Sequence, residues 1–231
     1  PLPTWLRRLT PGVLFGLAVV LLGLGIWEPT ALTGKDEYFL GLRTPMEMMA
    51  RQEWLVPFLD GAPRVKKPPL LYWLGRASFE TLGPSLVSAR LIAVLFGALL
   101  VAATAGIGQR LARRFKQGEP TILGAVAGLI LLSCLGLHSE ARRFMLDVPT
   151  AALSTAAFWA FLAWLDVPRW PRLTLATLLL AAGFLVKGPV VALVCGGGLL
   201  ALLASGGLDR ATWQAHRGAL AGHVLLWLAL A

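Results

Sequence analysis

Long apolar runs separated by short basic loops set the rhythm of this chain. Apolar windows near Pro11 to Trp27, Ser85 to Gly108, Thr121 to Leu137, Val148 to Leu165, Leu173 to Val186 and Pro189 to Ser205 each predict a bilayer-crossing helix, and a seventh begins about Ala219. The fifth window is short for a crossing, which predicts an end inside a cavity rather than at lipid headgroups. Between the first two spans, residues 30–84 form a long loop with a pattern of its own. Apolar residues at Tyr38, Leu42, Met46 and Met49 suit an amphipathic helix over Asp36 to Trp54, lying in the interface. Pro45 removes a backbone donor from that helix and predicts a kink or split. Trp54-Leu55-Val56-Pro57-Phe58-Leu59 followed by Asp60-Gly61 predicts a turn or small hairpin that folds Lys66 and Lys67 back toward Asp36. Leu70 to Leu82, with Tyr72, Trp73 and Phe79, predicts a second interfacial helix, because such rings prefer headgroup depth. The expected fold is all-α: a polytopic membrane helix bundle with interfacial helices in a large first outer loop.

Composition agrees with the pattern. At 231 residues the chain is 57% hydrophobic and only 14% charged, with a mean hydropathy of +0.71; this is more apolar surface than a soluble domain of that length buries. A net charge of +9 would suit nucleic acid, but the basic residues sit between apolar spans, so membrane lipid is the expected partner and nucleic acid is not. Cys134 and Cys195 both fall in apolar runs, without the spacing of a disulfide framework or a zinc site, and read as packing residues. The apolar run from Gly222 to Trp227 stops part-way through a span, and the chain is read as part of something longer.

Short loops orient the bundle. Arg7 and Arg8, then Arg110, Arg113, Arg114 and Lys116, then Arg169 and Arg172, then Arg210 and Arg217 mark one side as cytoplasmic. The other side has Arg142, Arg143 and Lys187 in its short loops. It also holds most of the carboxylates: Glu28, Asp36, Glu37, Glu47, Glu53, Asp60, Glu80, Glu140 and Asp147, of twelve in all. Charge of both signs on the outward face places the chemistry there.

Asp36 and Glu37 directly follow the first span. A carboxylate at the rim of the hydrocarbon has its ionised form disfavoured, which moves it toward the range of a general base. The structural alternative is an acidic helix start, favourable to the helix dipole. Asp147 opens the fourth span, where Pro149 supports an N-cap role instead. Arg143, four residues earlier, is placed either to pair with Asp147 or to engage a phosphate. Lys187 interrupts an apolar stretch and needs an anion, a water-filled cleft, or a surface to which it can snorkel. Lys66 and Lys67, stiffened by Pro68 and Pro69, form an extended basic element. A juxtamembrane flank would place such lysines on the cytoplasmic side, so an outward pair points to phosphate.

Several segments together resemble the polyprenyl-phosphate-dependent glycosyltransferases of the integral-membrane C-type fold, the group of the lipid A aminoarabinose transferase and the protein O-mannosyltransferases. They are Asp36-Glu37, Glu53-Trp54-Leu55-Val56-Pro57, Leu59-Asp60-Gly61, Lys67-Pro68-Pro69-Leu70-Leu71-Tyr72-Trp73, Arg143-Phe144-Met145-Leu146-Asp147-Val148-Pro149 and Lys187-Gly188-Pro189. The resemblance implies a polyprenyl-phosphate sugar donor meeting a lipid, glycan or protein acceptor in an outward-facing cavity. It also implies a bacterial inner-membrane enzyme with its site toward the periplasm, and further spans beyond this chain. By that analogy Asp36 activates the acceptor, Asp147 is a second active-site carboxylate, and Lys67 binds the donor phosphate. Lys187 lies in the lipid-phosphate region, with Glu37, Lys66, Arg143 and Tyr72 as substrate contacts. No cofactor is implied, and a divalent cation is left open. Lys66 stands where the aminoarabinose transferases commonly have Glu, Phe39 where Arg or Tyr is common, and Pro45 breaks the helix beyond; these departures weigh against that particular sugar. Two other classes compete. A transporter or lipid flippase would use Asp147 and Lys187 as pathway charges, and a non-catalytic subunit would use the first loop for docking.

Overall fold

The computed structural model describes residues 4–28, 37–208 and 210–230. They form a helical membrane bundle. Helix α1 runs Thr4–Gly23. The first loop contributes a π-helical stretch Tyr38–Arg43, α2 (Thr44–Ala50), the two-residue strands β1 (Phe58–Leu59) and β2 (Ala62–Pro63), and α3 (Leu70–Leu82). Then come α4 (Leu86–Arg114), α5 (Pro120–Ser133), α6 (Leu135–Glu140), α7 (Asp147–Asp166), α8 (Trp170–Lys187), α9 (Val190–Ala204) and α10 (Arg210–Leu230). Helices α4, α7 and α8 are long and apolar enough to cross a bilayer; the apolar part of α1, α5 and α9 are shorter.

Helix α4 is the central post, packed against α1, α5 and α7, while α8 and α9 lean on α7 and α10 on α8. Leu14, Ala18 and Leu22 of α1 meet Val94, Val101 and Ala105 of α4 in one core. The second core joins the loop helices to the bundle: Leu40, Met48, Leu71, Tyr72 and Phe79 enclose Phe144, which is wholly buried. Ser85 and Ser88 start α4 with a reciprocal cap, each side chain bonding the other's backbone N–H at 3.1 Å. Ser78 on α3 reaches Ser88 O at 2.8 Å and so fixes the angle at which α3 leaves α4.

Several span boundaries differ from those expected. Helix α8 has 18 residues rather than the short stretch anticipated, because hydropathy undercounts Trp170, Arg172 and Lys187 at its ends. The short elements are α5 and α9, with 14 and 15 residues. The third window breaks at Cys134, whose extended backbone separates α5 from α6. A hydrogen bond of 2.7 Å from His138 Nε2 to Leu132 O satisfies a carbonyl that the break leaves open. Cys134 is exposed rather than a packing residue; Cys195 is half-buried, and both are free thiols. The last helix starts at Arg210 instead of near Ala219.

Pro45 does not split the first-loop helix. Thr44 donates its backbone N–H to Phe39 O, one residue further back than in an α-helix, and its hydroxyl donates to the same oxygen at 2.7 Å. The widened turn absorbs the proline, which sits in the first turn of α2, where no donor is needed.

Candidate active site

The end of the bundle that carries the loop helices is assembled around Arg90, near the start of α4. Its Nε and Nη2 donate to the two oxygens of Glu37 at 3.0 and 3.1 Å. Nη1 donates to Ile26 O at 3.1 Å and Glu28 O at 2.7 Å. Glu37 Oε1 also accepts the Phe144 N–H at 3.0 Å. Both charged side chains are completely enclosed, and a buried ion pair holds only when its remaining lone pairs and protons are satisfied in this way. One guanidinium thus ties the exit of α1, the start of the π-helix and the segment leading to α7. Arg142 adds a second tie from that segment, donating to Leu22 O at 3.2 Å and Leu21 O at 3.1 Å, where the last carbonyls of α1 need partners.

Asp147, at the first position of α7, is exposed and accepts a hydrogen bond from Lys187 Nζ at the end of α8. Gly188 turns the chain immediately afterwards with φ +71°, a conformation that L side chains rarely adopt. Arg143 pairs with Glu140 at 3.4 Å rather than with Asp147. Its Nε is buried and has no partner among the described residues.

The hairpin forms as expected. Asp60 (φ +53°) and Gly61 (φ +80°) make the tight turn, and Phe58 pairs with Pro63. It docks on the π-helical stretch through Arg43 to Asp60 at 2.7 Å and on α2 through the Gly61 N–H to Glu47 at 2.7 Å. Arg51 lies 4.4 Å over the Phe58 ring. On α3, Arg76 lies 4.1 Å from the Trp54 ring centre and binds Glu80 at 2.8 Å. Beyond the hairpin, Arg64, Lys66 and Lys67 line a bowl of about 390 Å³. Arg64 Nε donates to the Tyr72 hydroxyl at 3.0 Å. Burial pushes the Tyr72 hydroxyl above its ordinary pKa, and the bond from Arg64 pulls it partly back.

Two residues read as substrate contacts already hold protein partners. Glu37 and Tyr72 are both fully buried: the carboxylate is engaged by Arg90 and Phe144, and the phenol holds Arg64. Lys66 and Lys67 are exposed in the bowl, while Asp147 and Lys187 meet where α7 begins and α8 ends. Asp36 lies outside the described residues. Residue patterns did not single out Arg90, Arg142 or Arg64. An arginine next to the first apolar turn of a span was the only sign for Arg90. Among the described residues no three His, Cys, Asp or Glu side chains gather to hold a metal ion.

Residues 66–231 match a family model described as dolichyl-phosphate-mannose-protein mannosyltransferase. The chain belongs to this family. An uncharacterized protein of Aquifex aeolicus (strain VF5) is 32% identical over 149 residues, 63% of this chain and 32% of that protein. Undecaprenyl phosphate-alpha-4-amino-4-deoxy-L-arabinose arabinosyl transferase 2 of Sodalis glossinidius (strain morsitans) is 34% identical over 147 residues, 62% of this chain and 26% of that protein. These alignments span a third or less of the curated relatives. Crystal structures of ArnT from Cupriavidus metallidurans share the fold at a TM-score of 0.76 and 22% identity. They cover 95% of this chain, with 40% of ArnT in the apo state and 39% of ArnT bound to undecaprenyl phosphate. In this mannosyltransferase-family chain the matched region takes in Lys66, Lys67, Arg143, Asp147 and Lys187; Asp36 and Glu37 precede it.

Proposed function

We propose that this chain forms the N-terminal part of a glycosyltransferase that moves a sugar from a polyprenyl-phosphate donor to a lipid, glycan or protein acceptor on the non-cytoplasmic face of a bacterial inner membrane. One observation carries the reading. Glu37, the chain neighbour of Asp36, is bonded to Phe144 in the segment that delivers Asp147, and Lys187 meets Asp147 there. The second carboxylate and a cation thus meet at the end of a segment fastened to Glu37, the residue that follows the candidate base in sequence. In this reading Asp36 takes the acceptor's proton, while Asp147 with Lys187 and Arg143 orders the reacting groups. Lys67 and Lys66 hold the donor phosphate from the bowl. Cations fixed where the leaving phosphate gains charge lower the barrier, and a positioned base contributes about 10² to 10⁴ in rate.

The relatives support a lipid-phosphate donor, since one is an undecaprenyl phosphate-aminodeoxyarabinose arabinosyl transferase and a solved neighbour is bound to undecaprenyl phosphate. Whether the sugar is a pentose or a hexose is decided by mass spectrometry of lipid and protein glycans from a deletion strain. The test of the reaction is Asp36→Asn in the full-length protein. Turnover falls at least about a hundredfold while prenyl-phosphate binding stays near wild type. An unchanged glycan profile in that strain would overturn the reading.

A further inference from the structure

This inference rests on the phosphate reading above and adds a residue to it. The bowl beside the hairpin is walled by Leu55, Pro57 and Val65 and by three cations, Arg64, Lys66 and Lys67, with no carboxylate among its lining residues. Arg64 differs from the two lysines. It is half-buried, its backbone N–H donates to Pro57 O at 2.7 Å, and its Nε is spent on the buried Tyr72 hydroxyl at 3.0 Å. A rigid partner behind the guanidinium fixes its direction, and its η nitrogens have no protein partner among the described residues.

We propose that Arg64, aimed by Tyr72, is a phosphate ligand that completes with Lys66 and Lys67 a site matched to a lipid phosphate bearing two negative charges rather than one. The chemistry explains why that match matters. A sugar-loaded donor is a phosphodiester with a single negative charge. When its bond to the sugar's anomeric carbon breaks, the electron pair stays on the phosphate oxygen, the acceptor oxygen bonds that carbon, and the acceptor's proton passes to the carboxylate base. The lipid leaves as a monoester dianion. Three cations fixed around the phosphate are attracted more strongly to the departing dianion than to the singly charged donor. The fork of an arginine gives the phosphate oxygens directed, charge-assisted bonds that a flexible ammonium does not. Binding the departing dianion more tightly than the donor is the differential stabilisation that speeds transfer. Leu55 and Val65, both strongly exposed, offer the first carbons of the prenyl chain an apolar wall.

The test titrates full-length protein in nanodiscs by tryptophan fluorescence with two probes. Farnesyl phosphate is a monoester with two charges above a second pKa of about 6, and farnesyl methyl phosphate is a diester with one. Above that pKa the wild type binds the monoester about tenfold more tightly, a difference of about 1.4 kcal/mol. Arg64→Gln brings the two affinities to within about twofold by weakening the monoester alone, and Tyr72→Phe, which keeps the ring and removes the hydroxyl, falls between. Lys67→Gln weakens both probes. Equal wild-type affinities, or an Arg64→Gln protein that keeps the full preference, overturn the role of Arg64 while the Lys67 result leaves the lipid-phosphate reading standing. Absence of saturable binding of either probe to the wild type overturns both.

Discussion

Arg90 and Glu37, 53 residues apart in the chain, form a two-bonded ion pair from which solvent is entirely excluded. Removing one partner leaves the other charged in a dry site, at a cost of about 3–5 kcal/mol. Arg90→Met is therefore expected to lower the unfolding free energy of the full-length protein in detergent by that amount. Glu37→Leu combined with Arg90→Met recovers a large part of it, because two apolar groups of similar volume need no partners. Thermal unfolding of the three proteins measures this, and a loss under about 1 kcal/mol in the single variant would remove Arg90 as the tie of the end of the bundle that carries the loop helices.

Tyr72 and Arg64 allow a spectroscopic check. The absorbance difference between the full-length protein and its Tyr72→Phe variant isolates Tyr72. Its absorbance titration is expected above the ordinary tyrosine value of about 10, since burial disfavours the phenolate. Replacing Arg64 with Met keeps a stem of similar length and takes away the cation that favours ionisation, so the midpoint rises further. Linkage has a definite sign here. The folded pKa exceeds the unfolded one, so the contribution is complete below the unfolded value and disappears as pH climbs through the folded value. A midpoint that falls on loss of Arg64 contradicts the contact.

Much of the first loop was legible because its signals are local. Leu70–Leu82 matches the aromatic segment that follows the proline pair, and Asp60-Gly61 makes the expected turn. Lys187 was expected to need an anion, a water-filled cleft or a surface to which it can snorkel, and its ammonium meets Asp147. What pattern reading missed are side chains meeting across long separations. Arg90 looked like one more basic residue of the outer loop, and Arg64 like part of a basic run. Glu37 and Tyr72 were expected at a substrate; both are buried, Glu37 against Arg90 and Tyr72 against Arg64. The π-helical turn escaped notice because a proline in a helical pattern signals a break, and only the surrounding packing decides whether the turn widens instead. Span ends shifted wherever charged or proline residues continue a helix beyond its apolar stretch.

The Asp147 and Lys187 pair separates stability from activity. Both side chains are partly open to solvent, at 58% and 30% exposure, so screening limits their mutual stabilisation to under about 1 kcal/mol. Asp147→Asn and Lys187→Gln are expected to unfold close to the wild-type temperature. In the proposed reaction each lowers turnover by about a hundredfold or more, a loss typical of removing one positioned charge. Equal loss of stability and activity in both variants would make the pair a structural strut.

Gly75 on α3 sits where α2 comes closest. A Cβ added there would lie 2.8 Å from Pro45 Cγ and 3.2 Å from Phe144 Cζ. Neither neighbour yields easily: the proline ring is locked in the turn after the π-helix, and Phe144 is enclosed by the second core. Gly75→Ala is thus expected to cost about 1–3 kcal/mol through overpacking, outweighing the few tenths to 1 kcal/mol that alanine gains over glycine within a helix. Pro45→Ala opens space on the other side of the same contact, so the two changes together should cost less than their sum, with a coupling of about 0.5–3 kcal/mol. Chemical unfolding of the two single variants and the double variant reads the coupling directly. Strict additivity would mean that α2 and α3 do not touch through these residues, and the hairpin that α2 carries would then lack its firm seat beside the basic bowl.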